Sequence, residues 1–316
     1  MGIVHLMGVG NSPGVVTAAI AYMEHNKEEL FRFSSSPTGR VEALVVAGTD
    51  SALNQQVSVH WNNYGRANKN EQHFSSVVQC IRQFVTKEYP SFCKDSEFYF
   101  LRLVLDDPWE NLRRLAKACA YIAYGQTGKE LWVNLTGGHN VIQTSMSLFC
   151  QLCGEASRVY YTFVPYNLDS IGTEITRFLQ PVGESESEFR WIDIPILPTA
   201  VDKKWQSILE ELRKAGYSIT ADELLGRLKQ NHEEFRAMEV RTLKQQHLLK
   251  MRGQFVTYNK ETDRNGLAPA GKRLLELFED ELLFYMLTAE PKDRREIIRD
   301  VRPQTAEEAG LIRLEW

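Results

Sequence analysis

Asn134-Leu135-Thr136-Gly137-Gly138-His139-Asn140 is the stretch around which the chain is organised. It follows the apolar run Leu131-Trp132-Val133 and precedes Val141 to Phe149, whose apolar residues recur at helical spacing, so a strand becomes a helix there. Two adjacent glycines let backbone approach a ligand with no Cβ in the way. The first N–H groups of the following helix carry the positive end of its dipole, which suits a phosphate. Gly-Gly between a strand and a helix is also ordinary turn chemistry. A second turn of the same kind, at the N-terminus, gives the first its weight.

There, Ile3 to Val9 is an apolar run, and Gly10-Asn11-Ser12-Pro13-Gly14 leads into the helical pattern Val15 to Met23. Ser12 is expected at the N-cap and Pro13 at the first helical position. Glu42 to Ala47 predicts a further strand, ending in Gly48-Thr49-Asp50-Ser51, with a helix from Ala52 to about His60. Asp50 reads either as an N-cap or as an acceptor facing a ligand. Residues 62–73 are polar and aperiodic, a surface loop able to rim a site; Ser75 to Lys87 is helical again. Phe98 to Leu105 is the next strand, and Asp106-Asp107-Pro108 starts a helix to about Tyr124. Arg158 to Val164 is a fifth strand. Glu174 to Leu179 and Phe189 to Ile194 read as an antiparallel pair closing the domain at about residue 198.

Alternation of strands and helices at this spacing predicts an α/β, Rossmann-like, mostly parallel sheet over residues 1–198. Ligands of such sheets bind beyond the carboxyl ends of the strands, where the strand order reverses, and both glycine turns lie at such ends. Residues 199–316 read as a winged helix-turn-helix domain with a helical tail. Its helices are Lys203 to Gly216, a short one within the turn, cap and helix of Ser218 to Leu228, one between about Phe235 and Met251, and Lys272 to Leu283; its wing strands are Gly253 to Tyr258 and Asn265 to Gly271. Residues 236–252 carry Arg236, Arg241, Lys244, Lys250 and Arg252 against Glu239, a local charge of +4. That face fits DNA in a major groove or a solvated surface of a dimerisation module.

The chain has 316 residues, a formal charge of −4, 43% hydrophobic and 25% charged residues, an ordinary globular composition with no global attraction to nucleic acid. No run reaches the roughly 18 apolar residues a membrane helix needs, so no membrane partner is expected. The five cysteines form no disulfide framework, which fits a reducing, cytoplasmic compartment, and Cys150-x-x-Cys153 reads as buried packing in preference to zinc or redox chemistry. No metal and no cofactor is implied. Gly8-x-Gly10 with Gly14 misses the Gly-x-Gly-x-x-Gly spacing by one residue, which argues against a dinucleotide-dependent enzyme.

Taken together, Gly10-Asn11-Ser12-Pro13-Gly14-Val15-Val16-Thr17 and Asn134-Leu135-Thr136-Gly137-Gly138-His139-Asn140 resemble the motifs of the CRISPR-associated Rossmann fold (CARF) family. The Ser-Pro-x-Val-Val-Thr form is most similar to the ring-nuclease branch, which often carries a winged helix after the sensor domain. The resemblance implies a homodimer holding a cyclic oligoadenylate, most plainly cyclic tetraadenylate, across its twofold axis. It also implies metal-independent cleavage, in which a ribose 2′-hydroxyl attacks the adjacent phosphate and leaves a 2′,3′-cyclic phosphate. On that reading Ser12, His139 and Asn140 are the catalytic candidates, and Gly10, Asn11, Pro13, Thr49, Asp50, Thr136, Gly137 and Gly138 bind the ligand. The chain departs from the ring-nuclease pattern at Asn140, where lysine is often found; a dipole there replaces a full charge, with His139 beside it. Two alternatives follow: a cyclic-oligoadenylate sensor that regulates DNA without cleavage, and a HEPN ribonuclease resting on the Arg241-x5-His247 spacing.

Overall fold

The computed structural model describes residues 2–32, 40–60, 71–124, 129–153, 156–163, 190–195, 202–289 and 291–316. The chain divides into two units, residues 1–199 with 295–316, and residues 200–294.

The first unit is built on a seven-stranded sheet. In chain order its strands are β1 (Ile3–Gly8), β2 (Val41–Gly48), β5 (Glu97–Arg102), β6 (Glu130–Asn134), β7 (Ala156–Phe163), β8 (Arg190–Ile194) and β12 (Leu311–Leu314). Two further strands, β3 (Val57–His60) and β4 (Glu71–Phe74), pair only with each other. The spatial order is β12-β5-β2-β1-β6-β7-β8, with parallel pairing from β5 through β7 and antiparallel strands at both edges. The inner strands read as near-continuous apolar runs because both faces are covered: every residue of β1 is buried. Among the helices of this unit are α1 (Gly14–His25), α2 (Lys27–Phe31), α3 (Asp50–Asn54), α4 (Val77–Glu88), α5 (Pro90–Asp95), α6 (Pro108–Ala123) and α7 (Asn140–Cys153). The mostly parallel α/β sheet expected from the alternating pattern is therefore present.

Local signals hold where a side chain satisfies backbone directly. Asp107 caps α6, accepting from the N–H groups of Trp109 (3.1 Å) and Glu110 (3.0 Å), and Ser76 caps α4, accepting from Gln79 (3.1 Å). Elsewhere the structure corrects the reading. The helix expected from Ala52 to about His60 stops at Asn54, and Val57–His60 instead pairs antiparallel with Glu71–Phe74, so residues 71–73 are strand and not loop. The remainder of that loop, residues 62–70, lies outside the described residues, as does Glu174 to Leu179. α1 begins at Gly14 with Pro13 at the cap position, so Ser12 stands just before the cap and not at it. Pro13 supplies a carbonyl instead, accepting from Val16 (3.1 Å) and Thr17 (3.2 Å).

The second unit contains the helices Lys203–Ala215 and Ala221–Asn231, a helical stretch over 240–251 and the helix Pro269–Phe278, followed by Glu281–Thr288. Its sheet has the order β10-β11-β9, from β9 (Ile219–Thr220), β10 (Val256–Asn259) and β11 (Arg264–Leu267). The order in this unit is helix, short strand, helix, helical stretch, hairpin and helix. The third helix departs from expectation: Glu233–Phe235 is a separate 3-10 turn, and Leu243–Leu248 winds as a π-helix. The tail differs too. After Pro291–Val301 the chain returns to the first unit, and Leu311–Leu314 pairs antiparallel with β5, Leu311 opposite Leu101.

At the centre of the first sheet, β1 carries His5, fully buried, with Nε2 hydrogen-bonded to the Tyr160 hydroxyl and Nδ1 unpartnered. Burial, with a smaller push from Arg158, lowers the His5 pKa to about 3. The unfolded chain, with an ordinary histidine pKa near 6.5, binds the proton the folded chain refuses, so stability is full above pH 6.5 and falls as the pH drops toward 3. His247 in the second unit is shifted the same way, first by burial, and adds to the trend. For His5 alone, moving from pH 7 to pH 5 is expected to cost about 2 kcal/mol. Urea unfolding at the two pH values should show that difference shrink by this amount in the double variant His5→Leu/Tyr160→Phe, which removes both polar partners together. An unchanged difference would mean that His5 is protonated in the native protein.

Candidate functional site

β1 lies between β2 and β6, so the chain leaves β1 in one direction through β2 and β5 and in the other through β6 and β7. The order reverses between β1 and β6, which makes the carboxyl ends of these two strands the switch point of the sheet. Both glycine turns are there. Met7 pairs with Asn134, and the next residues on each strand enter the turns.

The turns also pack against each other. A Cβ on Gly8 would collide with the Gly137 carbonyl, a Cβ on Gly137 would collide with the Gly8 carbonyl and with Val15, and a Cβ on Gly10 would stand 3.7 Å from Gly138 Cα. Gly138 has φ +98°, which a side-chain-bearing residue rarely adopts. Close approach of two backbones, more than a turn requirement, fixes these glycines. Helices α1 and α7 therefore begin side by side, with their positive dipole ends at one place.

Side chains finish the second turn. Asn134, buried, accepts from the Thr136 N–H (2.8 Å) and the Thr136 hydroxyl (2.5 Å), and its Nδ2 reaches the Val15 carbonyl on α1 (3.5 Å). The Thr136 hydroxyl also accepts from the Thr162 N–H (2.7 Å) and lies 2.7 Å from the Thr162 hydroxyl. Gln143 donates from Nε2 to the carbonyls of Thr136 (3.2 Å) and Gly138 (3.3 Å). The turn's carbonyls are thus drawn back toward α7, while among the described residues the N–H groups of Gly137, Gly138, His139 and Asn140 have no acceptor. This is an arrangement of donors for an anion.

His139 and Asn140 are exposed at the start of α7. His139 Nδ1 accepts from the Val141 N–H (3.3 Å), capping the helix and leaving Nε2 outward. Asn11 is exposed and Gly10 and Ser12 are half-buried, while Pro13 is buried and shapes the turn from beneath. Thr49 and Asp50 stand at the neighbouring end of β2. Thr49 occupies the cap position of α3, its hydroxyl 2.7 Å from Ser51 Oγ, and Asp50 sits in the first turn with its carboxylate 2.5 Å from Arg102 Nε. Asp50 therefore does not occupy the cap position, and its exposed carboxylate pairs with Arg102.

Several organising residues were not among the site candidates read from the sequence. Asn134 and Gln143 hold the glycine turn, and Thr162 locks Thr136 from β7. Buried Asn111 ties the loop after β5 to α6, donating to the Val104 carbonyl (2.7 Å) and to Ser145 Oγ (3.3 Å) and accepting from the Val104 N–H (2.8 Å). The usable sequence signals were polar residues interrupting apolar runs: Asn134 ends a strand, and Arg102 breaks Phe98 to Leu105.

All five cysteines are free thiols; burial pushes Cys80 up to about 12 and raises Cys150 further, so neither is poised as a nucleophile or ligand. Among the described residues no three His, Cys, Asp or Glu side chains group to hold a metal, and no helix is long and apolar enough to cross a membrane.

No protein-family model matches the sequence, and no curated protein does. Among solved structures the chain overlaps Enterococcus italicus Csm6 bound to cyclic hexa-2'-fluoro-hexa-dAMP, at 14% identity and TM-score 0.38, over 90% of this chain and 61% of that one. It overlaps protein VC1899 from Vibrio cholerae at 8% identity and TM-score 0.31, over 90% of this chain and 66% of that one. The chain spans about two thirds or less of either protein's length. Overlaps this weak leave the reading of the site to the chain's own residues.

Proposed function

We propose that this protein is a CARF-type receptor for a cyclic oligoadenylate, cyclic tetraadenylate in the first instance, that also cleaves its ligand without a metal. One observation carries the reading: two helix N-termini and their glycine turns, each resembling a CARF motif, converge at the switch point of a parallel sheet. A phosphate placed there meets N–H donors from both turns. Two copies facing across a twofold axis in the cytoplasm would give a ring of phosphates two such sites.

Cleavage asks the protein to hold a ribose 2′-hydroxyl in line with the adjacent phosphate and to stabilise the added charge of the phosphorane. The N–H groups from Gly137 to Asn140 supply the donors. Ser12, at the mouth of α1, orients the phosphate. The outward Nε2 of His139 is placed to donate to a phosphate oxygen or to the departing 5′-oxygen, since Nδ1 already accepts from backbone. Asn140 adds a dipole where lysine would add a charge. Thr136 has a structural part, because Asn134 and Thr162 occupy its hydroxyl.

The second unit is read as a winged helix. Of its five basic candidates for DNA, Arg236 pairs with Glu233 (3.0 Å), Lys244 with Asp263 (2.8 Å), and Arg252 bonds Asn265 while stacking on Tyr258 (3.5 Å). Arg241 and Lys250 remain outward, which favours a dimerisation surface over a DNA-reading one. A HEPN site is disfavoured: His247 is 4% exposed, its Nδ1 3.2 Å from Asp202 but not aligned for a hydrogen bond, whereas Arg241 is exposed.

The test is incubation of the purified protein with cyclic tetraadenylate in EDTA, the products followed by chromatography with mass detection. Linear diadenylate ending in a 2′,3′-cyclic phosphate is expected, and Ser12→Ala should slow cleavage about 100-fold while weakening binding far less. Intact ligand that co-elutes with the protein would make it a sensor without nuclease activity. Absence of both binding and cleavage would overturn the reading.

A further inference from the structure

A cavity of about 450 Å³ opens in the first unit away from the glycine turns, between the end of β5, the outer face of α6 and the C-terminal segment 307–312. That volume is in the range of small-ligand sites. Its walls divide by chemistry. One is cationic, from Arg102, Arg113, Arg114 and Lys117; the other presents buried Ala309 and Leu311 beside partly exposed Ile312.

The four cationic side chains of the lining outnumber its three acidic ones, Glu110, Glu307 and Glu308, by one charge. Glu110 is held between Arg114 Nε (2.9 Å) and Arg113 Nη1 (2.8 Å); against a desolvation that would raise it, those hydrogen bonds keep its carboxyl below the usual range. It acts as a spacer that fixes two guanidinium planes on α6. Glu308 accepts from the Gln304 N–H (2.8 Å) and so closes its own turn, leaving Glu307 exposed at the edge. Arg114 Nη1 donates to the Arg102 carbonyl (3.1 Å), which anchors the cationic wall to the strand. Lys117, one turn further along α6, forms no ion pair among the described residues.

We propose that this cavity is a second ligand site, accepting a phosphomonoester of mononucleotide size. The phosphate meets the arginine and lysine side chains, and the base lies on Leu311 and Ile312. Guanidinium forks suit phosphate geometry, and an apolar wall opposite them suits an aromatic ring. The site stands independently of the cyclic-oligoadenylate reading. It communicates with the switch point through Arg102, which lines the cavity and also pairs with Asp50. A phosphate in the cavity competes with Asp50 for that guanidinium.

Calorimetric titration of the full chain with 5′-AMP and with inorganic phosphate tests this. AMP is expected to bind with one site per chain and more tightly than phosphate. Lys117→Glu should weaken AMP binding at least tenfold, and Lys117→Gln should weaken it severalfold should the charge reversal disturb α6. Asp50→Asn, by releasing Arg102, should tighten it severalfold. Ser12→Ala, at the other site, should leave it unchanged. No binding of AMP, equal binding of AMP and phosphate, or a loss that follows Ser12→Ala and not the Lys117 variants would overturn the proposal.

Discussion

Replacing Gly137 by alanine is expected to destabilise the first unit by about 3 kcal/mol and to remove ligand binding with it. The new Cβ would overlap the Gly8 carbonyl and Val15 Cγ2, with the Gly8 carbonyl carbon only 3.1 Å away. The nearest obstacle is backbone at the carboxyl end of β1, not the far end of a flexible side chain, so relief requires β1 or the turn after β6 to shift. Such a shift would separate the two helix starts on which the anion site depends. Urea unfolding measures the first effect and ligand titration the second. The control is Gly226→Ala on an exposed position of the helix Ala221–Asn231, where nothing lies within 4 Å of the added carbon. That change should stabilise by about 0.5–1 kcal/mol, because alanine loses less backbone entropy than glycine. Equal responses at the two positions would show that the turns are not packed as described.

Trp316→Ala is expected to cost about 3 kcal/mol. The indole stacks on Phe98 with ring centres 4.5 Å apart and planes 13° apart, meets Phe92 edge-on at 5.7 Å, and donates from Nε1 to the Ser96 carbonyl (2.6 Å). The Trp316 carbonyl accepts from Arg82 Nη2 (2.9 Å), and just before it β12 completes the β5 edge of the sheet. Losing the indole therefore loosens an edge strand as well as a cluster of aromatic rings. Trp316→Phe should recover most of the stability, less the Ser96 hydrogen bond. Urea midpoints for the two variants would separate stacking from hydrogen bonding, and a Trp316→Ala midpoint equal to that of the unsubstituted chain would mean that the tail contributes nothing to the first unit.

The parts of the fold that were legible are those written in local chemistry. Apolar runs at Ile3, Glu42, Phe98 and Leu131 became parallel strands because both of their faces are buried, and Asp107-Pro108 started a helix because the carboxylate and the fixed proline ring act within one turn. The short strands 57–60 and 71–74 were missed because each spans only four residues and 71–74 begins with three polar ones, and their pairing with each other is what makes them strands. Leu311–Leu314 has no local mark of its destination; β5, some 210 residues earlier, supplies the hydrogen bonds.

The candidate site divides in the same way. The sequence by itself determined that two glycine turns each stand between a strand and a helix, since a continuous apolar run gives way to a helical period of about 3.6 across each of them. Only the tertiary structure decided that β6 lies beside β1, so that Gly8 and Gly137 touch and the two helix dipoles point to one place. Tertiary contacts also decided that Thr162 engages the Thr136 hydroxyl, and that Arg102 pairs with Asp50. The reason is physical: a residue's periodicity and capping act over one turn of chain, whereas the partner of a strand or of a charge is set by which distant segments share a buried face.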